Sequence, residues 1–195
     1  KRSFIKTKTT LKIRMEIFIL NKTSYYNNNQ ISELVSKIQN SFALKQFCID
    51  WSLEIPNLKY LRIGWPLPSG KYYMNIFDNH IHKKSYHSLE NNIPFANVFC
   101  NPKLNNLSFL FTHELFELLI NPFMNQKFKF QNEIYLKEVC DPVYENYFIE
   151  DNLKISDWIL PSWFQEGFIG KTNHLNTLKG SFELSSNGYN EKPQY

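Results

Sequence analysis

The alternation of apolar and polar residues along the chain predicts both strands and helices. Residues 11–20 alternate and then become apolar, which predicts a strand that enters the core. In the next stretch the apolar residues recur at helical spacing, at Ile31, Leu34, Val35, Ile38 and Phe42. This spacing places them on one face and predicts an amphipathic helix from about residue 30 to residue 42.

Three further short strands are predicted, around residues 48–54, 72–77 and 97–100. Residues 56–70 are loop-like because they contain Pro and Gly, although residues 60–63 also fit a short strand. A second helix is predicted from about residue 108 to residue 120, with Ser108 as its N-cap and Pro122 just past its end. The rest of the chain has the composition of short strands and turns.

This order of elements predicts the α+β class, as one domain with a mixed β-sheet packed against helices, the second predicted helix being central. A length of 195 residues suits a basic extension at residues 1–10 followed by a single domain at residues 11–195. The extension contributes to a net charge of +4, and it suits either an acidic partner or a solvated terminus. Elsewhere both signs of charge are mixed without a basic stripe, so there is no strong nucleic-acid signal.

Composition indicates the source and the compartment more than the function. Gly is scarce, at 6 residues, while Tyr and Phe number 11 and 17, a bias typical of an A+T-rich genome such as that of a virus, an organelle or a low-GC bacterium. The 3 cysteines are widely spaced without a Cys-x-x-Cys pair, which argues against a disulfide framework or a thiolate zinc site. We therefore expect a reducing compartment, such as a cytoplasm, an organelle matrix or a virus-associated location. No apolar run reaches about 18 residues, so we expect a soluble protein without a membrane span.

The second predicted helix carries a candidate metal site in the sequence Thr-His-Glu-Leu-Phe-Glu, residues 112–117. Residues four apart lie on one face of a helix, so His113 and Glu117 can share one metal ion. Zinc in a catalytic site takes a third protein ligand and leaves a further position open for water. Glu138 is the best candidate for that ligand, because it follows a turn-forming stretch, and Asp141 is placed to orient the His113 imidazole.

This arrangement predicts metal-assisted hydrolysis. Glu114 lies where the general base of a metalloprotease would lie, and it would accept a proton from metal-bound water. A backbone amide or His87 would stabilise the oxyanion. Because Glu117 replaces the second His of the usual His-Glu-x-x-His motif, the bound water would be less acidic, and Mn or Fe would suit the site as well as zinc. The motif alone is weak, since Glu is common in helices, and ordinary polar contacts are the alternative interpretation.

Two other histidines, His80 and His82, have the alternate spacing that puts both on one face of a strand. They suit either a second metal-binding pair or, as is more usual, a solvated loop.

Several motifs in a fixed order resemble a group of largely uncharacterised zincin-like proteins of tailed phages and bacteria. The matching segments lie at residues 19–23, 47–53, 86–87, 94–99, 112–122, 138–143, 155–164 and 178–189. This chain has Asn121 where the group usually has Asp, and Ser85 where the group usually has Gly. The resemblance implies a zincin-like fold and a metallopeptidase-like activity that is itself inferred from the helix motif. It also implies an intact site, made of His113, Glu114, Glu117, Glu138 and Asp141.

Two functions therefore remain open. The first is a metal-dependent, peptidase-like hydrolase with a peptide or protein as its substrate. The second is a non-catalytic structural or adaptor subunit of a larger assembly, for which aromatic residues such as Trp158 and Trp163 would supply a binding surface unless they lie in the core. An open cleft beside Glu114 favours the hydrolase, whereas a cleft filled by residues 158–164 or by the C-terminal tail favours the structural protein.

Overall fold

The structure is a computed structural model that describes residues 15–62, 64–79 and 83–193. The strands of its central sheet are β1 (Glu16–Lys22), β2 (Asn57–Leu61), β3 (Tyr72–Asp78), β4 (Tyr86–Glu90) and β5 (Ile93–Cys100). They lie in the order β2-β1-β3-β5-β4, and the edge strand β4 runs antiparallel to β5 while the other pairs are parallel. The sheet is therefore mixed, as predicted.

Three α-helices, two small hairpins and three short 3-10 helices (Pro102–Leu104, Asp141–Val143 and Pro161–Phe164) complete the regular structure of the described residues. The helices are α1 (Asn28–Asn40), α2 (Phe42–Asp50) and α3 (Leu107–Ile120). The hairpins pair β6 (Lys127–Phe130) with β7 (Glu133–Leu136), and β8 (Tyr147–Glu150) with β9 (Leu153–Ser156). This content confirms the α+β class. The predicted basic extension at residues 1–10 and the start of the predicted first strand lie outside the described residues.

The main core lies between one face of the sheet and the helices. In β1, Ile17 and Ile19 face this core, whereas Phe18 faces the other side of the sheet beside Leu61 and Tyr73. Successive residues of a strand point to opposite faces, so β1 contributes to both clusters. The larger cluster contains residues from all three helices, and the helical face of the sheet is therefore the well-buried one.

Helix α3 is the central element of that core and is apolar around most of its circumference. Its Phe116 ring stacks on Phe47 of α2 at a centroid distance of 4.2 Å and meets the edge of buried Trp158 at 5.2 Å. A helix that is apolar all round is buried on several sides. Polar side chains in the middle of α3 consequently lie in the interior, and this is where the candidate site residues are.

Three hairpin turns share one backbone geometry and contain no glycine. The central residues have φ between 48° and 66°, and they are Asn91 and Asn92, Gln131 and Asn132, and Asp151 and Asn152. Two consecutive positive φ angles match the type I′ turn, whose twist suits a two-residue hairpin. Asn tolerates this region better than most residues with a side chain, so it takes the usual place of Gly. The first of these turns joins β4 to β5 and thereby brings β4 to the edge of the sheet.

The predicted strand at residues 48–54 is wrong, because these residues form the end of α2 and the turn after it. The buried residues of α2 have helical spacing, at Ala43, Leu44, Phe47 and Cys48. Ser41 caps α2 by accepting a hydrogen bond from the Leu44 amide at 3.0 Å. The same residue ends α1, so the helix predicted to reach residue 42 stops at Asn40.

Several other predicted boundaries also differ from the structure. The possible strand at residues 60–63 is β2, which begins earlier, and the strand predicted at residues 97–100 begins at Ile93. Strand β4 has no counterpart in the sequence prediction. Ser108 is not the N-cap of α3, since the helix begins one residue before it, and its hydroxyl accepts a hydrogen bond from the Lys154 amide at 3.0 Å.

None of the helices in the described ranges is long and apolar enough to cross a membrane. Cys48, Cys100 and Cys140 are all buried free thiols.

Candidate metal centre

Helix α3 directs three ionisable side chains into one buried cavity. His113 and Glu117 lie one turn apart on the same face, with His113 Nε2 3.4 Å from Glu117 Oε2. Glu114 lies three residues before Glu117 and lines the same cavity. Each of the three is at most 4% exposed. The helix motif therefore presents its His and both its carboxylates to a single interior space.

The segment that follows β7 brings further groups to this space. Asp141 Oδ1 lies 3.4 Å from His113 Nε2, so it approaches the same nitrogen as Glu117 and not the opposite side of the ring. The Cys140 amide donates a hydrogen bond to Glu117 Oε1 at 3.2 Å. His113 Nδ1 has no hydrogen-bond partner among the described residues. Asp141 therefore contacts the imidazole at Nε2, and its role in orienting the ring stays a prediction.

Strand β4 contributes a second histidine, which the β4–β5 pairing aligns opposite Ala96. His87 Nε2 lies 3.4 Å from Glu138 Oε2. Its Nδ1 lies 3.9 Å from both Glu114 Oε2 and Glu117 Oε2. The sequence predicts that His87 stabilises an oxyanion, and the structure places its ring among the carboxylates themselves.

The cavity has a volume of about 50 Å³, and the C-terminal segment forms part of its wall through Tyr189 and Glu191. The Tyr189 amide donates to the Asp141 carbonyl at 3.0 Å, and the Leu136 amide donates to the Glu191 carbonyl at 2.8 Å. Among the described residues that line the cavity, none is Lys or Arg. The described lining is therefore rich in carboxylates, and its basic groups are the imidazoles of His87 and His113.

Five buried side-chain atoms of this cluster have no hydrogen-bond partner among the residues that the structure describes. They are His87 Nε2, His113 Nδ1, Glu114 Oε2, Glu138 Oε2 and Asp141 Oδ2. Buried polar atoms in native proteins are nearly always hydrogen-bonded, because an unsatisfied one costs about 1–3 kcal/mol. Such a concentration in one place indicates that a partner outside the chain belongs there.

The electrostatics of the cluster follow from its burial. Burial raises the pKa values of Glu114, Glu117 and Glu138, since each carboxylate loses its hydration and faces other acids. Burial lowers the pKa of His87 to about 4, although Asp141 partly opposes this. For His113, burial is outweighed by Glu117 and Asp141, which raise its pKa well above the ordinary value. The pKa values of the three glutamates therefore all shift in the direction that favours a neutral carboxyl group.

Within the described ranges, donor atoms approach closely enough for metal binding in two groups. One is formed by His113, Glu117 and Cys140, and the other by His87, Glu114 and Glu117, with all donor atoms of a group within 4.8 Å of one another. The predicted third ligand, Glu138, belongs to neither group. It lies in the same cavity, where its Oε1 accepts a hydrogen bond from Asn121 Nδ2 at 3.2 Å.

Sequence reasoning missed one feature of this centre, the thiol of Cys140. This residue lacks a Cys-x-x-Cys partner, yet the stretch that contains Glu138 and Asp141 also brings its thiol within 4.8 Å of a donor atom of His113. The sequence analysis named the C-terminal tail as a segment that could fill the cleft, and Tyr189 of this tail does line the cavity. The proposed pair His80 and His82 lies outside the described residues.

No family model, curated protein or solved structure matches this chain. The resemblance to zincin-like proteins accordingly stays a prediction, and the chemistry of the site rests on its own geometry.

Proposed function

We propose that this protein is a metal-dependent hydrolase of the peptidase-like class. The observation that carries the proposal is the set of unpaired buried atoms around one cavity, three of them carboxylate oxygens and two imidazole nitrogens. These are donor types that bind divalent metal ions. A cation also suits the sign of the charge, because the carboxylates have no Lys or Arg beside them in the described cavity lining.

The distances within the cluster agree with metal ligands better than with hydrogen bonds. Two ligand atoms that are each about 2.1 Å from a tetrahedral ion lie about 3.4 Å apart. Three nitrogen–oxygen pairs have this 3.4 Å separation: His113 with Glu117, His113 with Asp141, and His87 with Glu138. A direct N–H···O hydrogen bond would be about 2.9 Å long. Zinc is the first choice for the ion, and Mn or Fe also suits so many carboxylates.

Glu114 is the residue to which we assign proton transfer. Its Oε2 has no hydrogen-bond partner among the described residues, and His87 Nδ1 lies 3.9 Å from it. Burial raises the pKa of Glu114 well above its ordinary value, and a carboxyl group with a raised pKa suits general acid–base catalysis. A bound divalent ion would supply an acidified water molecule. Glu114 would accept the proton from that water and deliver it to the leaving group.

Space for a substrate adjoins the site. A second cavity of about 380 Å³ shares Tyr86, His87, Met124 and Glu191 with the carboxylate-lined one. This volume is in the range of small-ligand sites. The position of this second cavity suits a substrate that approaches from the side of β4. The scissile bond of such a substrate would lie near Glu114.

A non-catalytic structural or adaptor protein is the second candidate, and one observation favours it. Tyr189 and Glu191 of the C-terminal segment line the carboxylate-lined cavity and narrow it to about 50 Å³. A metal ion held there would be shielded from substrate unless this segment moves. The aromatic residues give this candidate less support, since Trp158 and Trp163 are fully buried in the main core and not available to a partner.

Metal content and peptide cleavage of Glu114→Gln beside wild type separate these candidates. Wild-type protein should retain a divalent metal after gel filtration and cleave members of a peptide library, as detected by mass spectrometry. Glu114→Gln keeps the shape of the side chain but loses its basicity, so it should bind the metal and lose at least about 100-fold in turnover.

The exposed Glu166→Gln variant serves as the matched control and should behave as wild type. Metal binding without any cleavage by wild type would favour the structural candidate. Absence of bound metal after reconstitution with zinc, manganese and iron would refute the proposal.

A further inference from the structure

The C-terminal segment, residues 185–193, reaches both cavities of the candidate site. Tyr189 and Glu191 line the carboxylate-lined cavity, and Glu191 and Pro193 line the larger cavity beside it. The Leu136 amide of β7 donates a hydrogen bond to the Glu191 carbonyl at 2.8 Å, so the segment runs beside β7. The segment therefore lies at the junction of the two cavities, where a substrate would have to pass.

This segment contacts the body of the protein without belonging to its core. The main core extends along the chain to Leu178 and the partly buried Phe182, and no later residue of the described ranges belongs to it. Two buried atoms of the segment, Ser185 Oγ and Asn190 Oδ1, have no hydrogen-bond partner among the described residues. Unsatisfied buried polar atoms make docking of the segment less favourable. A segment with few buried apolar contacts can open locally while the rest of the fold stays intact.

The segment is attached at the turn that carries an acidic residue of the centre. The Ser185 amide donates to the Pro142 carbonyl at 2.9 Å, and the Tyr189 amide donates to the Asp141 carbonyl at 3.0 Å. Between these bonds, Gly188 lies so close that an added Cβ atom would be 2.0 Å from the Pro142 carbonyl oxygen. A substitution at this glycine therefore weakens docking of the segment without altering any side chain that lines the cavity.

We propose that residues 185–193 form an autoinhibitory strap, which covers the candidate metal centre and leaves it before a substrate binds. This inference rests on the proposed function, because it describes the regulation of the same site. It explains why a cavity of only about 50 Å³ adjoins one of about 380 Å³. When the strap opens, the two cavities join along the wall that Glu191 lines in the closed form.

The test compares wild type, Gly188→Ala and Gly180→Ala, all as intact chains reconstituted with zinc. Loss of one or two backbone hydrogen bonds from the docked strap should raise the open fraction of Gly188→Ala about 5- to 30-fold. Release of zinc to a chromogenic chelator and cleavage of a peptide mixture should both accelerate by that factor. Gly180→Ala is the matched control and should behave as wild type, because the nearest atom to its added Cβ would be 3.8 Å away.

The outcomes separate the strap from the proposed function. Cleavage at equal rates by all three proteins would overturn the strap and leave the proposed function standing, since the substrate would then reach the centre without opening it. Cleavage by none of the three, including the opened Gly188→Ala, would refute the proposed function, and autoinhibition would fall with it.

Hydrogen exchange of unmodified protein keeps the test valid if Gly188→Ala fails to fold. The Leu136 and Tyr189 amides are hydrogen-bonded across the contact between the strap and the centre. Both should exchange at least about 100-fold faster than the amides of the central strand β1, because the strap opens without unfolding of the core. Exchange of both amides as slow as that of β1 would show that the segment opens only with the whole fold, and would overturn the strap.

Discussion

The C-terminal wall of the candidate metal centre depends on one glycine, Gly188, that has no room for a side chain. A Cβ atom added to Gly188 would lie 2.0 Å from the Pro142 carbonyl oxygen, whereas ordinary contacts begin at 3.4 Å. In Gly188→Ala, either the tail or the turn at Pro142 must therefore move by about 1.4 Å. Both contacting groups are backbone, so a simple change of rotamer does not relieve the clash.

The loss of stability expected for Gly188→Ala can be estimated from the hydrogen bonds that hold this part of the tail. Three backbone bonds are at risk: Ser185 to Pro142, Gly188 to Ser185, and Tyr189 to Asp141. At about 0.5–1.5 kcal/mol each, their loss would cost about 1.5–4.5 kcal/mol. If the tail detaches as a local unit, less of this cost appears in the global free energy of unfolding and more appears as local opening.

Urea unfolding followed by Trp fluorescence, together with hydrogen exchange of the Tyr189 amide, measures both effects. Gly180→Ala is the matched control, because its nearest neighbour would be 3.8 Å from the added Cβ. We expect Gly180→Ala to remain within about 0.5 kcal/mol of wild type. If Gly188→Ala matched this control in stability and in exchange protection, the described packing of the tail against the metal centre would be refuted.

Three further predictions concern the stability of the fold. Burial raises the pKa of Asp157 to about 6, so this carboxyl stabilises the fold below about pH 4 and loses that contribution as the pH rises through 6. The free energy of unfolding of wild type relative to Asp157→Asn should therefore fall by up to about 3 kcal/mol from pH 4 to pH 7, and a constant difference would contradict this pKa. Glu150→Ala should lower the free energy of unfolding, measured by thermal denaturation, by about 1 kcal/mol, because the carboxylate accepts a hydrogen bond from the Phe42 amide at 2.6 Å at the start of α2. The same change at exposed Glu166 is the control and should leave the stability almost unchanged. Phe116→Ala removes the ring stacked on Phe47, so it should lower the free energy of unfolding in urea by about 3–5 kcal/mol. A decrease below about 1 kcal/mol would contradict that packing.

Local signals were enough to predict the helix that carries the motif, but not β4, which carries His87. Apolar spacing indicated α1, because a buried face repeats every 3.6 residues in a helix, and Ser108 and Pro122 indicated the bounds of α3. The same rule placed His113 and Glu117 together on α3, since that geometry depends only on residues four apart. These inferences hold because helix and strand spacing is a property of neighbouring residues.

Capping explains why the strand predicted at residues 48–54 is helix. The apolar run around Cys48 fits either structure when it is viewed alone. Ser41 begins the helix locally, but Glu150, more than a hundred residues later, also accepts amide hydrogen bonds at its first turn. A contact between residues so far apart cannot be predicted from the sequence near α2.

The sequence by itself determined that one buried helix would present a His and two carboxylates on adjoining faces. Only the tertiary structure decided what surrounds them. The turn at Asn91 and Asn92 folds β4 back along β5 and carries His87 into the cavity, while the tail brings Tyr189 from the opposite end of the chain. The physical reason is that a metal centre of this kind is assembled from segments distant in sequence, whose meeting depends on the packing of the whole core.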